Sequence, residues 1–200
     1  MKIGEGNIKL GKNILTFSLP ALKTCIGSTE LCRSICYANK GYLRNWKVES
    51  SYQRNYEESL RDDFVDLVVN AIREKLKKRD FQYFRIHVSG DFYSQEYLEK
   101  WKAIIKEFPN MNFSTWTKSW MLDFSDLPKN LTCLYSVMAD TKHFSPHIKR
   151  LCFLGEEIVP DEIRKEAYVC PYKNIGRWAC EVCKRCYGFN PPQFLILHKH

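Results

Sequence analysis

Apolar side chains recur at three- and four-residue steps in two stretches of the chain. Such spacing is typical of amphipathic helices, and it predicts one or two helices over residues 46–79 and another after Ser94, a residue type that caps helices well. The apolar positions are Leu60, Phe64, Leu67, Val68, Ala71, Ile72 and Leu76 in the first stretch, and Tyr97, Leu98, Trp101, Ile104, Ile105 and Phe108 in the second. We expect both apolar faces to lie in the core.

Segments rich in β-branched and aromatic residues alternate with these helices. They predict strands over 83–91, 111–119 and 131–140, with a short helical connection at 120–128, a further strand at 151–155 and a short helix at 160–167. Strands that alternate with helices indicate a parallel α/β sheet, in which ligands bind beyond the carboxyl ends of the strands. The candidate site positions at those ends are Ser89, Gly90, Asp91, Thr117, Lys118, Ala139 and Asp140.

The length and composition favour one folded domain. The chain has 200 residues, of which 44% are hydrophobic. The net charge of +8 allows nucleic acid or another anionic partner, although the basic residues are scattered. No stretch approaches the roughly 18 apolar residues of a membrane span, and the first residues lack the apolar run of a secretory signal. We therefore expect a soluble protein of the cytoplasm without a membrane partner.

Nine cysteines are the most unusual feature of the composition. An odd number in a reducing compartment favours metal ligation over a disulfide framework. Near the C-terminus, Cys170, Cys180, Cys183 and Cys186 form a C-x9-C-x2-C-x2-C pattern whose closing triplet is typical of 4Fe-4S clusters. Zinc is the alternative metal, and buried thiols without metal are the third interpretation.

The N-terminal cysteines, Cys25, Cys32 and Cys36, follow a C-x6-C-x3-C pattern in a short polar segment. Three thiolates can hold a 4Fe-4S cluster while one iron keeps no protein ligand, so the spacing indicates a cluster open to water, substrate or cofactor. Alternatively, Cys133 or Cys152 closes this site into a structural or electron-transfer centre.

These motifs resemble two related groups of proteins. A cysteine triplet before the first long helix, followed by βα units, is similar to radical S-adenosylmethionine proteins. The stretches "CIGSTELCRSICYA", "VSGDF" and "TWTKSW" resemble their phage-encoded relatives. The stretches "FSLPALKTC", "LCRSICYANKGYLR" and "CPYKNIGRWACEVCKRC" look like the gene product 88 family of phage and prophage proteins.

The resemblance implies a partial (β/α) barrel over residues 1–155 with a cysteine-rich C-terminal extension over 156–200 packed on the same domain. It implies an open cluster at the N-terminal cysteines that binds and cleaves S-adenosylmethionine, an auxiliary cluster at the C-terminal ones, and a reductant protein as a partner in the host cytoplasm. Ser89, Gly90 and Thr117 would contact the cofactor, and Asp91 and Lys118 would act in catalysis on a substrate that remains unknown.

A noncatalytic protein is the second hypothesis. In it, clusters or zinc ions stabilise an electron carrier or a nucleic-acid-associated module, with Trp116, Trp120 and Tyr135 as candidates for base stacking. The alternation of Ile86, His87 and Val88 also predicts that His87 shares the sheet face of Arg85 and Ser89.

Overall fold

The fold is known from a computed structural model, which describes residues 1–40, 45–188 and 190–198. Residues 41–44, part of the quoted stretch "LCRSICYANKGYLR", and residues 189, 199 and 200, part of the predicted extension, lie outside the described residues. The strands are β1 (Gly4–Asn7), β2 (Gly11–Phe17), β3 (Tyr83–Ile86), β4 (Asn112–Thr117), β5 (Leu131–Val137), β6 (Leu151–Leu154), β7 (Tyr168–Val169) and β8 (Phe194–Leu197). The α-helices are α1 (Glu30–Ser34), α2 (Trp46–Ser59), α3 (Phe64–Leu76), α4 (Gln95–Lys106), α5 (Asp161–Arg164), α6 (Tyr172–Ile175) and α7 (Ala179–Cys183).

All eight strands form one sheet in the order β1-β2-β3-β4-β5-β6-β8-β7. The strands β2 to β8 run parallel to one another, and of the described strands only β1 is antiparallel, as the first arm of a hairpin with β2. Because β2 to β6 are neighbours in chain order, each crossover steps to the next position in the sheet. In the described part of the chain the sheet is open, with β1 and β7 at its edges. The α/β architecture is therefore observed, and the partial barrel of the radical S-adenosylmethionine type stays a prediction.

One side of the sheet, here called the helix face, packs against α3 and α4. Ser94 caps α4, since its hydroxyl accepts a hydrogen bond from the Tyr97 amide at 3.2 Å. Trp101 of α4 is fully buried, and its ring lies 5.3 Å from that of Phe17 in β2 and 5.7 Å from that of Phe84 in β3. The predicted core stripe is confirmed except at Leu60 and Leu67. Leu60 is 54% exposed and follows α2, whose buried side chains are polar, and Leu67 is only half-buried.

The opposite side, here called the cysteine face, is covered by the C-terminal segment. Its sheet residues are Ile14, Tyr83, Trp116, Leu134, Cys152 and Leu195. They pack against Cys170, Cys180, Cys186 and Tyr187. The predicted extension, residues 156–200, also contributes β7 and β8 to the sheet. It is therefore joined to the rest of the domain by backbone hydrogen bonds as well as by apolar packing.

Three expectations from the sequence need correction. Residues 120–128 contain turns and no helix. The strands β1, β2 and β8 were not anticipated, because glycine, lysine and short length obscure their alternation. His87 follows β3 with a φ of 60°, which breaks the alternation and turns its ring toward Phe92 and Tyr97 on the helix face, away from Arg85.

Within residues 1–40, 45–188 and 190–198, no helix combines the length and apolar character needed to cross a bilayer.

Candidate functional site

The N-terminal cysteine loop, residues 23–40, lies on the carboxyl edge of the sheet. Thr29 caps α1 by accepting a hydrogen bond from the Cys32 amide at 3.2 Å, and the Asp140 carboxylate beyond β5 accepts one from the Leu31 amide at 2.8 Å. Gly27 packs directly on β4, because a Cβ atom there would lie 1.9 Å from the Lys118 carbonyl oxygen. The loop is thus fixed to the ends of two neighbouring strands.

The three thiols of this loop share one electrostatic environment. Burial raises the pKa of Cys25 to about 12, and the charges of Asp91, Cys32 and Cys36 raise it further. Burial also raises the pKa of Cys32, and the ammonium group of Lys118 opposes that rise. Burial therefore favours the protonated thiols of Cys25 and Cys32, and a bound metal would favour the thiolates.

Asp91 connects the ends of β3 and β4. One carboxylate oxygen accepts a hydrogen bond from the Phe92 amide and the other from the Lys118 amide, each at 2.8 Å. Burial raises the pKa of Asp91 to about 6, against these hydrogen bonds. The Lys118 ammonium group donates to the Ser136 carbonyl at 2.7 Å. Asp91 therefore holds the backbone that places Lys118 beside Cys32.

The three predicted cofactor-binding residues occupy the same edge. The Ser89 hydroxyl is buried and lacks a hydrogen-bond partner among the described residues. Gly90 has a φ of 82°, and a side chain there would collide with Leu19 and Thr24. The Thr117 hydroxyl accepts a hydrogen bond from the Ser119 amide at 3.0 Å. Ser89 is only 3% exposed and is not part of the pocket lining described below, so its unpaired hydroxyl lies inside the packed edge.

A pocket of about 340 Å³ opens between the N-terminal cysteine loop and the ends of β4 and β5. Loop residues 26–30, which link Cys25 to α1, form one wall. The other walls are formed by Lys118, Trp120, Tyr135, Asp140, Thr141, Lys142 and His143. Trp120 and His143 stack with ring centroids 4.4 Å apart. A pocket of this size is at the lower end of the range that accepts small molecules.

The C-terminal cysteines lie on the cysteine face. Cys170 follows β7 directly, and its amide donates to the Ile196 carbonyl at 2.9 Å. Cys180 and Cys183 belong to α7, which is held on the β1–β2 hairpin because the Glu181 carboxylate accepts a hydrogen bond from the Lys12 amide at 2.8 Å. Cys186 lies in a 3-10 turn over Arg185–Tyr187.

The remaining two cysteines occupy opposite faces of neighbouring strands. Cys133 in β5 packs in the core of the helix face, and Cys152 in β6 packs on the cysteine face with Cys170 and Cys186. Both therefore pack in apolar clusters, and the alternative that one of them closes the N-terminal site stays a prediction. All nine cysteines are described, and all are free thiols.

In the described residues, no group of three or more His, Cys, Asp and Glu side chains already has the arrangement of a metal site. The donor chemistry nevertheless fits a thiophilic metal in both places, since each group consists of thiols with cations nearby. Burial raises the pKa of both Cys32 and Cys180. The charge of Lys118 opposes that rise at Cys32, and the charges of Lys9 and Arg85 oppose it at Cys180. Sequence reasoning found the cysteines and Lys118 and gave Trp120 only as a candidate for base stacking, but it missed Arg85 as a neighbour of the thiols, because Arg85 belongs to no motif.

A parallel α/β sheet with thiol groups at its carboxyl edge and on one face defines a cysteine-rich α/β protein. The chain belongs to the gene product 88 family, whose model matches residues 1–187. The curated relatives are phage proteins, which agrees with the phage resemblance of the motifs.

Two of these relatives are similar over about half of the chain. A gene 88 protein of Mycobacterium phage D29 is 32% identical over 103 residues, which are 48% of this chain and 42% of that protein. A gene 88 protein of Mycobacterium phage L5 is 33% identical over 103 residues, which are 48% of this chain and 43% of that protein. The match thus spans less than half the length of these relatives. No solved structure matches the chain.

Proposed function

We propose that the chain is an iron-sulfur protein in which Cys25, Cys32 and Cys36 hold a 4Fe-4S cluster open to a small ligand. S-adenosylmethionine is the first candidate for that ligand. The observation that carries this proposal is the pocket wall: residues 26–30, between two of the three thiols, line the 340 Å³ pocket. The described lining contains none of the three thiols, so a ligand in this pocket would lie behind the wall that begins next to Cys25. That position is at the edge of the sheet where parallel α/β proteins bind ligands.

The residues at this edge of the sheet would have different roles in such a site. Lys118 lowers the cost of the thiolate charge at Cys32, and Asp91 fixes the backbone of Lys118 through the 2.8 Å hydrogen bond from its amide. Trp120, stacked on His143, forms a flat wall for a planar ligand group. When bound, a 4Fe-4S cluster with one iron free of protein ligands supplies one-electron chemistry to a ligand at that iron.

The C-terminal cysteines form the second centre of the proposal. A 4Fe-4S cluster is its first candidate occupant and zinc the alternative, since both metals bind groups of thiolates. The buried Tyr187 hydroxyl, which lacks a hydrogen-bond partner among the described residues, packs beside Cys180 and Cys186 and could donate to a sulfur ligand there. A redox enzyme of this kind would need a reductant protein, and nine free thiols suit the reducing cytoplasm of a host cell.

The proposal is tested on protein purified without oxygen. We expect about eight irons and eight sulfides per chain for two cubane clusters, and release of 5′-deoxyadenosine when S-adenosylmethionine is added to the reduced protein. Cys36→Ala should lose about half of the iron, whereas Cys133→Ala, a matched thiol removal in the helix-face core, should keep all of it. Zinc without sulfide would contradict the cluster, and iron without cofactor cleavage would contradict the ligand.

Nucleic-acid association is a second candidate function, favoured by one surface. Around α6 and α7, Trp178 is 41% exposed, and the Lys12 ammonium group lies 5.6 Å from the centre of its ring. The exposed basic residues of this surface are Lys12, Lys173, Arg177, Lys184 and Arg185. Aromatic rings among cations bind single strands by stacking and charge. Trp178→Ala should weaken binding of a fluorescent oligonucleotide at least tenfold, whereas Trp46→Ala should not; equal binding by both variants would contradict this function.

A further inference from the structure

Cys152 is a buried thiol of the sheet that the sequence pattern leaves without a partner. It lies in β6 with none of its surface exposed, and β6 pairs with β8 so that Cys152 is opposite Leu195. The strand β8 in turn pairs with β7, where Tyr168 is opposite Leu195, and Cys170 follows two residues later on the same face. The sheet therefore carries Cys152 and Cys170 on one surface, two strands apart.

The C-terminal segment brings two more thiols to this surface. Cys186 packs with Cys152, Leu134 and Leu195 in one apolar cluster, which also contains Cys170. Cys186 and Cys180 both pack with Ile14 and Tyr187 in the adjoining cluster. Four thiols, from β6, the end of β7, α7 and the turn after it, thus lie on the cysteine face in two adjoining clusters that share Cys186.

The same thiols are also the electrostatic neighbours of Cys186. Burial raises the pKa of Cys186, and the thiols that raise it further are, in decreasing order, Cys152, Cys180 and Cys170. Among the described residues, Cys183 belongs to neither of the two clusters in which these thiols pack. Its sulfur instead lies 3.3 Å from the Tyr168 hydroxyl, and its charge acts on Cys180 from one turn away in α7.

A buried hydroxyl group and a cation lie beside these four thiols. The Tyr187 side chain is only 1% exposed, and its hydroxyl has no hydrogen-bond partner in the described part of the chain. The Arg85 guanidinium group is stacked 3.3 Å from the centre of the Trp116 ring. Its positive charge opposes the rise that burial causes in the pKa of Cys152, Cys180 and Cys186. A cation and an unpaired donor are what a group of metal-bound thiolates requires from its surroundings.

We infer that the C-terminal centre takes one thiolate from the sheet: Cys152, Cys170, Cys180 and Cys186 bind the metal or cluster, and Cys183 lies outside the ligand set. This inference rests on the proposed function, because it assumes that the centre holds a metal. It changes the ligand set that the C-x2-C-x2-C spacing predicts. It also makes the centre a covalent link between β6, the end of β7 and the C-terminal segment.

The test compares metal and sulfide contents of three alanine variants purified without oxygen. We expect Cys152→Ala to lose the entire C-terminal complement, about half of the iron and sulfide for two cubanes or the zinc of a zinc site. Cys183→Ala and Cys133→Ala should keep it. Cys133 is the matched control, because the same atoms leave a similarly buried position on the opposite face of the neighbouring strand.

A wild-type measurement keeps the inference testable if Cys152→Ala does not fold. Iodoacetamide should alkylate Cys183 at similar rates in the metal-loaded and the chelator-treated chain, whereas Cys180 should react only after the metal is removed. At least tenfold protection of Cys183 by the metal would overturn the inference, as would metal loss in Cys183→Ala with retention in Cys152→Ala. A wild-type chain without any metal would instead refute the proposed function itself.

Discussion

The two groups of cysteines differ in what surrounds them. The N-terminal loop lies on the carboxyl edge of the sheet, next to a pocket lined by its own residues 26–30. The C-terminal thiols lie against a face of the same sheet, packed on Leu134, Leu195 and Tyr187. An edge leaves room for a ligand, and a covered face does not. Under the proposed function, similar donor atoms on one sheet would therefore form an open centre at the edge and a closed one on the face.

The largest expected effect separates the two groups by stability. Cys186→Ala should lower Tm by on the order of 10 °C, because Cys186 fastens the C-terminal segment to the sheet, and 1 kcal/mol shifts a domain of this size by about 2–4 °C. Cys36→Ala should lower Tm by only a few degrees, since an open site contributes less to folding. Calorimetry on metal-loaded protein measures both, and equal losses would remove the distinction between a closed and an open centre.

Gly27→Ala should break the open site alone. The added Cβ would lie 1.9 Å from the Lys118 carbonyl oxygen, so the loop must move off the edge at a cost of about 1–3 kcal/mol. We expect about half of the metal to be lost, with the C-terminal centre intact. Gly188→Ala is the control, because its Cβ would meet only ordinary contacts of 3.8 Å and longer. Full metal retention in Gly27→Ala would show that the loop does not depend on this contact.

His87 tests whether the helix face is independent of both thiol groups. Burial lowers the pKa of His87 from 6.5 to about 3. Between these two pH values the unfolded chain binds a proton at this histidine and the folded chain does not. Stability should therefore fall as the pH drops from about 6.5 toward 3, by up to about 1.4 kcal/mol per pH unit.

His87→Asn should remove this part of the pH dependence, because asparagine tolerates the positive φ and does not titrate. Urea unfolding of the variant and wild type at several pH values gives the difference, with His147→Asn as a surface control. The metal content should not change. Identical slopes for His87→Asn and wild type would mean that the histidine is solvated.

The smallest expected effect concerns the pocket. Trp120→Ala removes the ring stacked 4.4 Å from His143, and we expect S-adenosylmethionine to bind about tenfold more weakly, which is about 1.4 kcal/mol. Iron content and Tm should stay near those of wild type. Trp46→Ala removes an equally large ring that is 68% exposed outside the pocket, and it should leave the affinity unchanged. Unchanged affinity in Trp120→Ala would place the ligand elsewhere.

The local pattern of the chain predicted the elements whose periodicity is long and regular. The stripe from Phe64 to Ile72 and the cap at Ser94 are in the structure as expected, because each depends on neighbours three or four residues away. The two cysteine groups were also predicted, because their spacing is dense, and Lys118 was predicted because it follows a strand. The strands β1 and β2 were not, because glycine, lysine and asparagine interrupt their apolar positions, and β8 was not, because its sequence "FLIL" is uniformly apolar and has no alternation.

By itself, the sequence determined the parallel α/β class, the helix faces and the membership of seven cysteines in two groups. Only the tertiary structure decided that Cys133 lies in the helix-face core and Cys152 beside Cys186, since the two positions have similar local patterns. It likewise decided that His87 turns away from Arg85 and that the loop of residues 26–30 borders a pocket. Which face a strand residue occupies depends on what the distant segments cover, and that is settled only when the whole sheet packs.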